Sequence, residues 1–250
     1  MPCGVCVISY GVEPLYLNSS VSAGIWANKR AYCSTNGYRC ILGKTRLTDR
    51  PSPRWDKVQA MMNALDRKGA DDCCTWAVWV NPECVILKPT PLPINSLPLN
   101  TSLAFARAAT GLNTAVIFAR AAAPAAGAAD GRIAAAFLRE SWADTHHSHF
   151  DPEQKAMSHL LHHGSPSGVD YARHVSYLDA HVAYPEGQMG SEGTWHAGRT
   201  DFSWLFFDVT GSGTIRHNVV KQQRLIASGL RMSTVRPPPK PRTAPWVGGT

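Results

Sequence analysis

The run Trp76-Ala77-Val78-Trp79-Val80-Asn81-Pro82-Glu83-Cys84-Val85-Ile86 constrains the fold more than any other stretch of the chain. A continuous apolar run bounded by polar residues is the pattern of a strand buried on both faces. Polar groups at the end of such a strand must leave the core for a cleft or a partner, because burying them unpaired is unfavourable. Asn81 and Glu83 are therefore the first candidates for a site.

The strand needs a sheet around it, and 250 residues at 44% hydrophobic and 17% charged suffice for one sizeable core. One α/β domain over residues 1–235 is expected, followed by the polyproline-type stretch Arg236-Pro237-Pro238-Pro239-Lys240-Pro241-Arg242 in a disordered tail over 236–250. The formal charge of +7 suits an anionic ligand, but Lys and Arg are scattered without a dense basic run, so nucleic acid is not favoured as a partner.

The remaining elements follow from local pattern. Gly4 to Tyr10 reads as a short buried strand, Ser20 to Ala31 as a helix leading to a turn at Asn36-Gly37, and Tyr38 to Leu42 as the second strand. After Arg50-Pro51-Ser52-Pro53, the residues Trp55, Val58, Met61, Met62 and Leu65 recur at helical spacing. Glu83 to Leu87 continues the tryptophan run, and the prolines at 89, 91, 93 and 98 make 88–100 a loop. Ser102 to Ala106 and Thr114 to Phe118 are two further strands, and a helix runs from about Arg132 to Trp142. Alternation of strands and helices implies a mostly parallel sheet with helices on its faces.

The cysteines Cys3, Cys6, Cys33, Cys40, Cys73, Cys74 and Cys84 crowd into the first third. Cys3-x-x-Cys6 has no second pair at zinc-site spacing, and the expected state is buried free thiols. A lumenal protein would use some of them in disulfides, and Asn18-Ser19-Ser20 and Asn100-Thr101-Ser102 are glycosylation sequons. No apolar run approaches the ~20 residues of a membrane span, and the N-terminus carries no signal pattern, so the chain as written is expected to be soluble.

Several segments, in order, carry a resemblance. Asn28-Lys29-Arg30-Ala31-Tyr32 through Gly37-Tyr38 comes first, then Arg54-Trp55-Asp56-Lys57-Val58 with its helix and the tryptophan-rich strand. Gly111-Leu112-Asn113-Thr114 through Arg120 follows, then Phe150-Asp151-Pro152-Glu153-Gln154-Lys155-Ala156-Met157 with Trp142 upstream, Ala183-Tyr184-Pro185, and Thr200-Asp201-Phe202 to Gly211. Over residues 4–211 the chain resembles the eukaryotic galactosyl-, xylosyl- and mannosyltransferases that include the xyloglucan xylosyltransferases and fungal α-1,2-galactosyltransferases.

The resemblance implies a Rossmann-like nucleotide-sugar transferase fold of the GT-A type. It implies transfer of a hexose or pentose, with retention, from a UDP- or GDP-linked sugar to a glycan or other hydroxyl acceptor. Mn²⁺ or Mg²⁺ would offset diphosphate charge, held by oxygen ligands at a strand end. The family's metal-binding Asp-x-Asp falls on Asn81-Pro82-Glu83, where an amide replaces one carboxylate and affinity should drop. The family's third ligand, a His, falls on Leu205 or on Asp208 according to the alignment, and Asp208 is the candidate. Glu153 and Gln154 match the pair beneath the sugar, where a carboxylate steadies charge on the anomeric carbon. Asn28, Tyr32, Lys57, Asn113 and Arg120 match motif positions in the substrate pocket.

Each candidate has a plainer reading. Asn81 and Glu83 could cap a turn, Asn113 could cap its strand, Arg120 could be a solvated surface residue, and Glu153 could be a helix-start carboxylate favoured by the dipole. Lys57 is expected on the exposed face of its helix, and Trp76 and Trp79 in the core. His146, His147, His149, His159, His162 and His163 lack an HExxH or Cys/His pattern and read as a solvated helix face rather than a zinc site. The altered Asp-x-Asp also leaves open a degenerate homologue that binds a glycan or protein partner without turnover. Family members are usually type II membrane proteins of the Golgi, and this chain shows no anchor. That fits a cytosolic form, a viral or algal-type relative, or a gene model missing its first exon.

Overall fold

In the computed structural model the tryptophan-rich run forms a central strand, and the sheet grows outward from it. The structure describes residues 4–11, 19–66, 73–82, 84–86, 89–108, 111–121, 129–144, 152–178 and 206–208. The elements are β1 (Gly4–Tyr10), α1 (Ser19–Asn36), β2 (Arg39–Gly43), α2 (Asp56–Leu65), β3 (Cys74–Val80), β4 (Cys84–Ile86), β5 (Leu103–Ala108), β6 (Gly111–Arg120), α3 (Ala129–Ala143), α4 (Pro152–His163), β7 (Val175–Tyr177) and β8 (Phe206–Asp208). The proline-rich connection after β4 is a loop, as expected, with one 3-10 turn at Pro93–Ser96.

The main sheet has the order β2-β1-β3-β6-β5-β7. β1 is parallel to β2 and β3, β7 is parallel to β5, and β6 is antiparallel to both its neighbours. Five strands therefore share one direction and β6 alone is reversed. The alternation of elements foretold the mostly parallel sheet but not this reversal. Only residues 109–110 separate β5 from β6 in the chain, too few for the crossover that a parallel pair needs. β4 and β8 form a separate antiparallel ribbon, with Cys84 opposite Asp208 and Ile86 opposite Phe206.

β3 is buried on both faces, as its sequence requires. Trp79 joins Cys6, Ile8, Met61, Phe137 and Met157 on the face covered by α2, α3 and α4. Val78 and Val80 join Val7, Tyr32, Phe118 and Leu92 on the face covered by α1 and the proline-rich loop. Both tryptophans are core, Trp76 at 7% and Trp79 at 2% exposure.

Local chemistry sets the helix ends. α1 runs to Asn36, beyond the expected stop at Ala31, because the Asn36-Gly37 turn is the helix cap itself: Gly37 takes a φ of 68° and the Tyr38 N–H donates to the Cys33 carbonyl at 2.9 Å. α3 begins at Ala129, one turn earlier than expected. The Ser52 hydroxyl accepts from the Arg54 N–H at 3.3 Å and Pro53 opens the turn leading into α2.

The cysteines correct the free-thiol expectation. Cys6 on β1 bonds to Cys74 on β3 with a Cα separation of 5.6 Å, and Cys33 on α1 bonds to Cys40 on β2 at 5.8 Å. Both distances fall within the usual span of a disulfide. The first bridge joins neighbouring strands that lie 68 residues apart in sequence, which is why spacing alone does not reveal it. Cys84 is buried and forms no disulfide.

Among the described residues no helix is long and apolar enough to cross a membrane. Glu83, His146, His147, His149, Ala183-Tyr184-Pro185, Thr200-Asp201-Phe202, Leu205 and the 236–250 tail lie outside the described residues.

Candidate functional site

Because β6 is reversed, its first residues arrive at the same rim of the sheet as the last residues of β3. Val80 pairs with Val116, and the Asn81 N–H donates to the Ala115 carbonyl at 2.8 Å. Asn81, Asn113 and Thr114 are thereby gathered at the carboxyl end of the parallel strands, where open α/β sheets bind ligands.

Beneath that rim lies a buried charged cluster. Lys57 on α2 donates through Nζ to Glu153 Oε1 at 2.9 Å, Thr114 Oγ1 at 2.9 Å and the Thr114 carbonyl at 3.2 Å. Lys57 is 4% exposed and Glu153 is fully buried. The expectation of a solvated Lys57 is thus corrected. Residues 57, 61 and 64 share one helical face, so Lys57 belongs to the same inward stripe as Met61 and Ala64. Its stem passes under Trp79, leaving Nζ 6.0 Å from the ring centroid. Gln154 completes the cluster by accepting at Oε1 from the Thr114 N–H at 3.1 Å and from its hydroxyl at 3.2 Å. Its amide N–H groups are then what it can offer elsewhere.

Burial by itself would raise the Glu153 carboxyl, but the ammonium of Lys57, its hydrogen bond, a backbone N–H and the charge of Arg54 outweigh it and hold the group below the usual carboxylate range. Glu153 is therefore an anion at neutral pH. Among the described residues its Oε2 is buried without a hydrogen-bond partner. An unpaired buried carboxylate oxygen is costly unless something polar meets it, so this atom is the cluster's open valence.

The turn after β3 is fixed from several directions. The Cys84 N–H donates to the Asn81 carbonyl at 3.0 Å, closing a tight turn through Pro82, and the Trp79 indole N–H donates to Asn81 Oδ1 at 2.8 Å. Lys29 on α1 is fully buried and donates from Nζ to the Asn81 carbonyl at 2.9 Å and the Pro82 carbonyl at 2.8 Å. The Asn81 side-chain oxygen is thus already engaged, which leaves carboxylates as the stronger oxygen donors here. In the β4–β8 register, position 208 lies opposite Cys84.

Other candidates are placed elsewhere. The Asn28 amide donates to the Ile86 carbonyl and accepts from the Ile86 N–H, both at 2.9 Å, so it acts as a surrogate strand for β4. The Tyr32 hydroxyl donates to the Thr90 carbonyl at 2.8 Å, and burial with Tyr38 nearby pushes its pKa well above the ordinary value. Asn113 accepts at Oδ1 from the Ala115 N–H at 2.7 Å, the strand-capping alternative. Arg120 pairs with Trp76 at the opposite end of β6, stacks 4.9 Å over that ring and donates to the Leu99 carbonyl at 2.7 Å. The five residues from Ala115 to Arg120 carry it about 16 Å from the rim. His159, His162 and His163 are exposed, and among the described residues no group of three metal-ligating side chains converges.

Three residues of the rim escaped sequence reasoning: Thr114, Lys29 and Gly11. The first two lay inside segments whose neighbours drew the attention. Gly11 follows β1, and a Cβ there would sit 2.7 Å from the Pro82 Cβ. Gly11→Ala is expected to displace the turn and lower stability by about 1–3 kcal/mol, whereas Gly4→Ala meets nothing within 4 Å and should be close to neutral. Urea denaturation of the two variants checks this.

The chain matches no protein-family model and no curated protein sequence. Among solved structures it is similar to a glycosyltransferase involved in the glycosylation of the major capsid of PBCV-1, with a TM-score of 0.58, 13% identity, and 90% of this chain and 98% of the other covered. The glycosyltransferase GlyE of Streptococcus pneumoniae TIGR4 aligns in its apo form with a TM-score of 0.42 at 11% identity, and in a second structure with 0.40 at 12%. The alignments cover 73% and 72% of this chain, which spans about half of GlyE, 46% and 47%. The mixed sheet with helices on both faces is thus the α/β fold of GT-A-type glycosyltransferases.

Proposed function

We propose that the chain is a glycosyltransferase that moves a hexose or pentose from a UDP- or GDP-linked sugar to a glycan or other hydroxyl acceptor with retention. The observation that carries this reading is the buried Lys57–Glu153–Thr114–Gln154 cluster, set at the same rim as the Asn81–Cys84 turn in a fold that glycosyltransferases use. In this reading Lys57 keeps Glu153 ionised, and the carboxylate steadies positive charge at the sugar's anomeric carbon from beneath. Gln154 offers its N–H groups to sugar oxygens.

Glu83 and Asp208 are the residues that would hold Mn²⁺ or Mg²⁺. The cation supplies charge neutralisation for the diphosphate and for the nucleotide that departs. The disulfides support maturation in an oxidising compartment, in line with the lumenal, Golgi-type setting of the family the sequence resembles.

Isothermal titration of UDP is expected to show binding that strengthens when Mn²⁺ is added, and Asp208→Ala should remove the Mn²⁺ effect while leaving the metal-free binding. Absence of UDP and GDP binding under both conditions would sink the proposal. The engagement of Asn81 Oδ1 by Trp79 favours one rival, a homologue that binds a glycan or protein partner without turnover. Asn81→Asp combined with Leu205→His separates them: the rival predicts activity rising from nothing, the main reading an already active parent.

A further inference from the structure

We infer that Asn100 is an N-glycosylation site, and that its glycan is added before the surrounding chain folds. This concerns what is done to the chain and is independent of the glycosyltransferase reading. Two disulfides join Cys6 to Cys74 and Cys33 to Cys40, and Cys73 is disulfide-bonded as well. Several bridges in one domain point to maturation in an oxidising lumen, which is where the signal Asn-x-Ser/Thr is read.

Asn100-Thr101-Ser102 carries that signal. The asparagine is exposed and follows Leu99, which is 89% exposed. It lies in a tight turn, where the Thr101 N–H donates to the Pro98 carbonyl at 2.9 Å. Asn100 Nδ2 donates to the Arg173 carbonyl at 3.1 Å, and an amide nitrogen that has gained a sugar retains one N–H for such a bond. The Leu99 carbonyl accepts from Arg120, so the turn sits at the end of the sheet opposite the Lys57–Glu153 cluster. A glycan attached there leaves the rim uncovered.

Ser102 is the unusual residue of the three. The Thr101 hydroxyl shares a hydrogen bond with the Ser176 hydroxyl at 2.7 Å, whereas the Ser102 side chain is fully buried and, among the described residues, its hydroxyl has no partner. A hydroxyl in that state weakens a fold relative to an apolar group of the same size. No contact of the described fold accounts for it. Glycosylation does, because the hydroxyl at the third position is part of what the transferring enzyme requires.

The same burial sets the order of events. In the folded chain the Ser102 N–H is committed to the His174 carbonyl at 2.9 Å and its hydroxyl is out of reach, so the sugar must be added to the unfolded chain. In that step the Asn100 nitrogen attacks the anomeric carbon of a lipid-pyrophosphate-linked oligosaccharide. The carbon–nitrogen bond forms, the bond from the anomeric carbon to the pyrophosphate oxygen breaks, the amide releases one proton, and the lipid pyrophosphate leaves.

Peptide mass spectrometry with and without peptide N-glycosidase tests this on the full chain. It is to be isolated from the cells that naturally make it and from eukaryotic cells that direct it into the endoplasmic reticulum. The expected result is a glycan at Asn100 in both, lost in Ser102→Ala and kept in Ser102→Thr. Unglycosylated Ser102→Ala should melt no lower than unglycosylated wild type. Microsomal oligosaccharyltransferase should modify the reduced, unfolded chain at least tenfold faster than the folded one, and equal rates overturn the proposed order. An unmodified Asn100 in both preparations overturns the site itself. So does a glycan found only in the chain directed to the lumen, since the protein's own compartment then does not use it. The glycosyltransferase reading stands in every case.

Discussion

Lys57→Met is expected to lower stability at pH 7 by about 3–5 kcal/mol, the magnitude seen when one partner of a buried ion pair is removed. The reason is the environment of what stays behind. Glu153 is fully buried, its Oε1 relies on Lys57, and its Oε2 already lacks a partner. Without the ammonium, the burial that now opposes ionisation prevails, and the carboxyl is pushed up instead of held down.

Two further results follow from the same pair. Lys57→Met combined with Glu153→Met should recover most of the loss, because an apolar pair of similar volume needs no compensation. In wild type the depressed carboxyl contributes stability that is present above the ordinary carboxylate range and is lost as pH falls through its lowered native value. Urea denaturation at pH 7 and at pH 3 reads both. A Lys57→Met loss below about 1 kcal/mol would show the pair behaving as an exposed one, and the cluster would no longer serve as the anchor of the site.

The second large effect is expected from the Cys6–Cys74 bridge. It closes a loop of 68 residues between two central strands, and the chain-entropy model assigns such a loop about 4 kcal/mol. Cys6→Ala with Cys74→Ala is expected to lower the thermal midpoint by roughly 10 °C for a chain of this size. Expression in a reducing cytosol should give at least that deficit in the unmodified protein, because the Cys33–Cys40 bridge is then missing as well. A count of free thiols in the denatured, unreduced chain provides the direct check, since Cys6 and Cys74 must not react. Reaction of both would return them to the free-thiol state that their sequence spacing suggests.

These two predictions mark the line between what the sequence shows and what it conceals. β1, β3 and α2 were legible because each is written in consecutive residues, as an apolar run or a helical stripe. The bridge was hidden because adjacency of β1 and β3 is a property of the sheet. Lys57 was misplaced because a charged residue was read by its polarity, although positions 57, 61 and 64 share a face. Arg120 was drawn to the site by its segment, yet on a reversed strand of ten residues the first and last positions lie at opposite ends of the sheet. The pairing of position 208 with Cys84 came only from the β4–β8 register, since the segments are more than a hundred residues apart in the chain.

The fastening of residues 81–92 has a consequence for how freely that segment can change. Asn28 holds the amide and carbonyl of Ile86, Lys29 the carbonyls of Asn81 and Pro82, Tyr32 the carbonyl of Thr90, and Tyr38 accepts from the N–H of Leu92. Every one of these grips is on the main chain, which is chemically the same whatever side chain it bears. The path of the segment is therefore written in α1 and the residues just after it, while the letters along the path are left open. A stretch held in this way can exchange an aspartate for an asparagine at position 81 without losing its place, so its chemistry can drift while its geometry stands still.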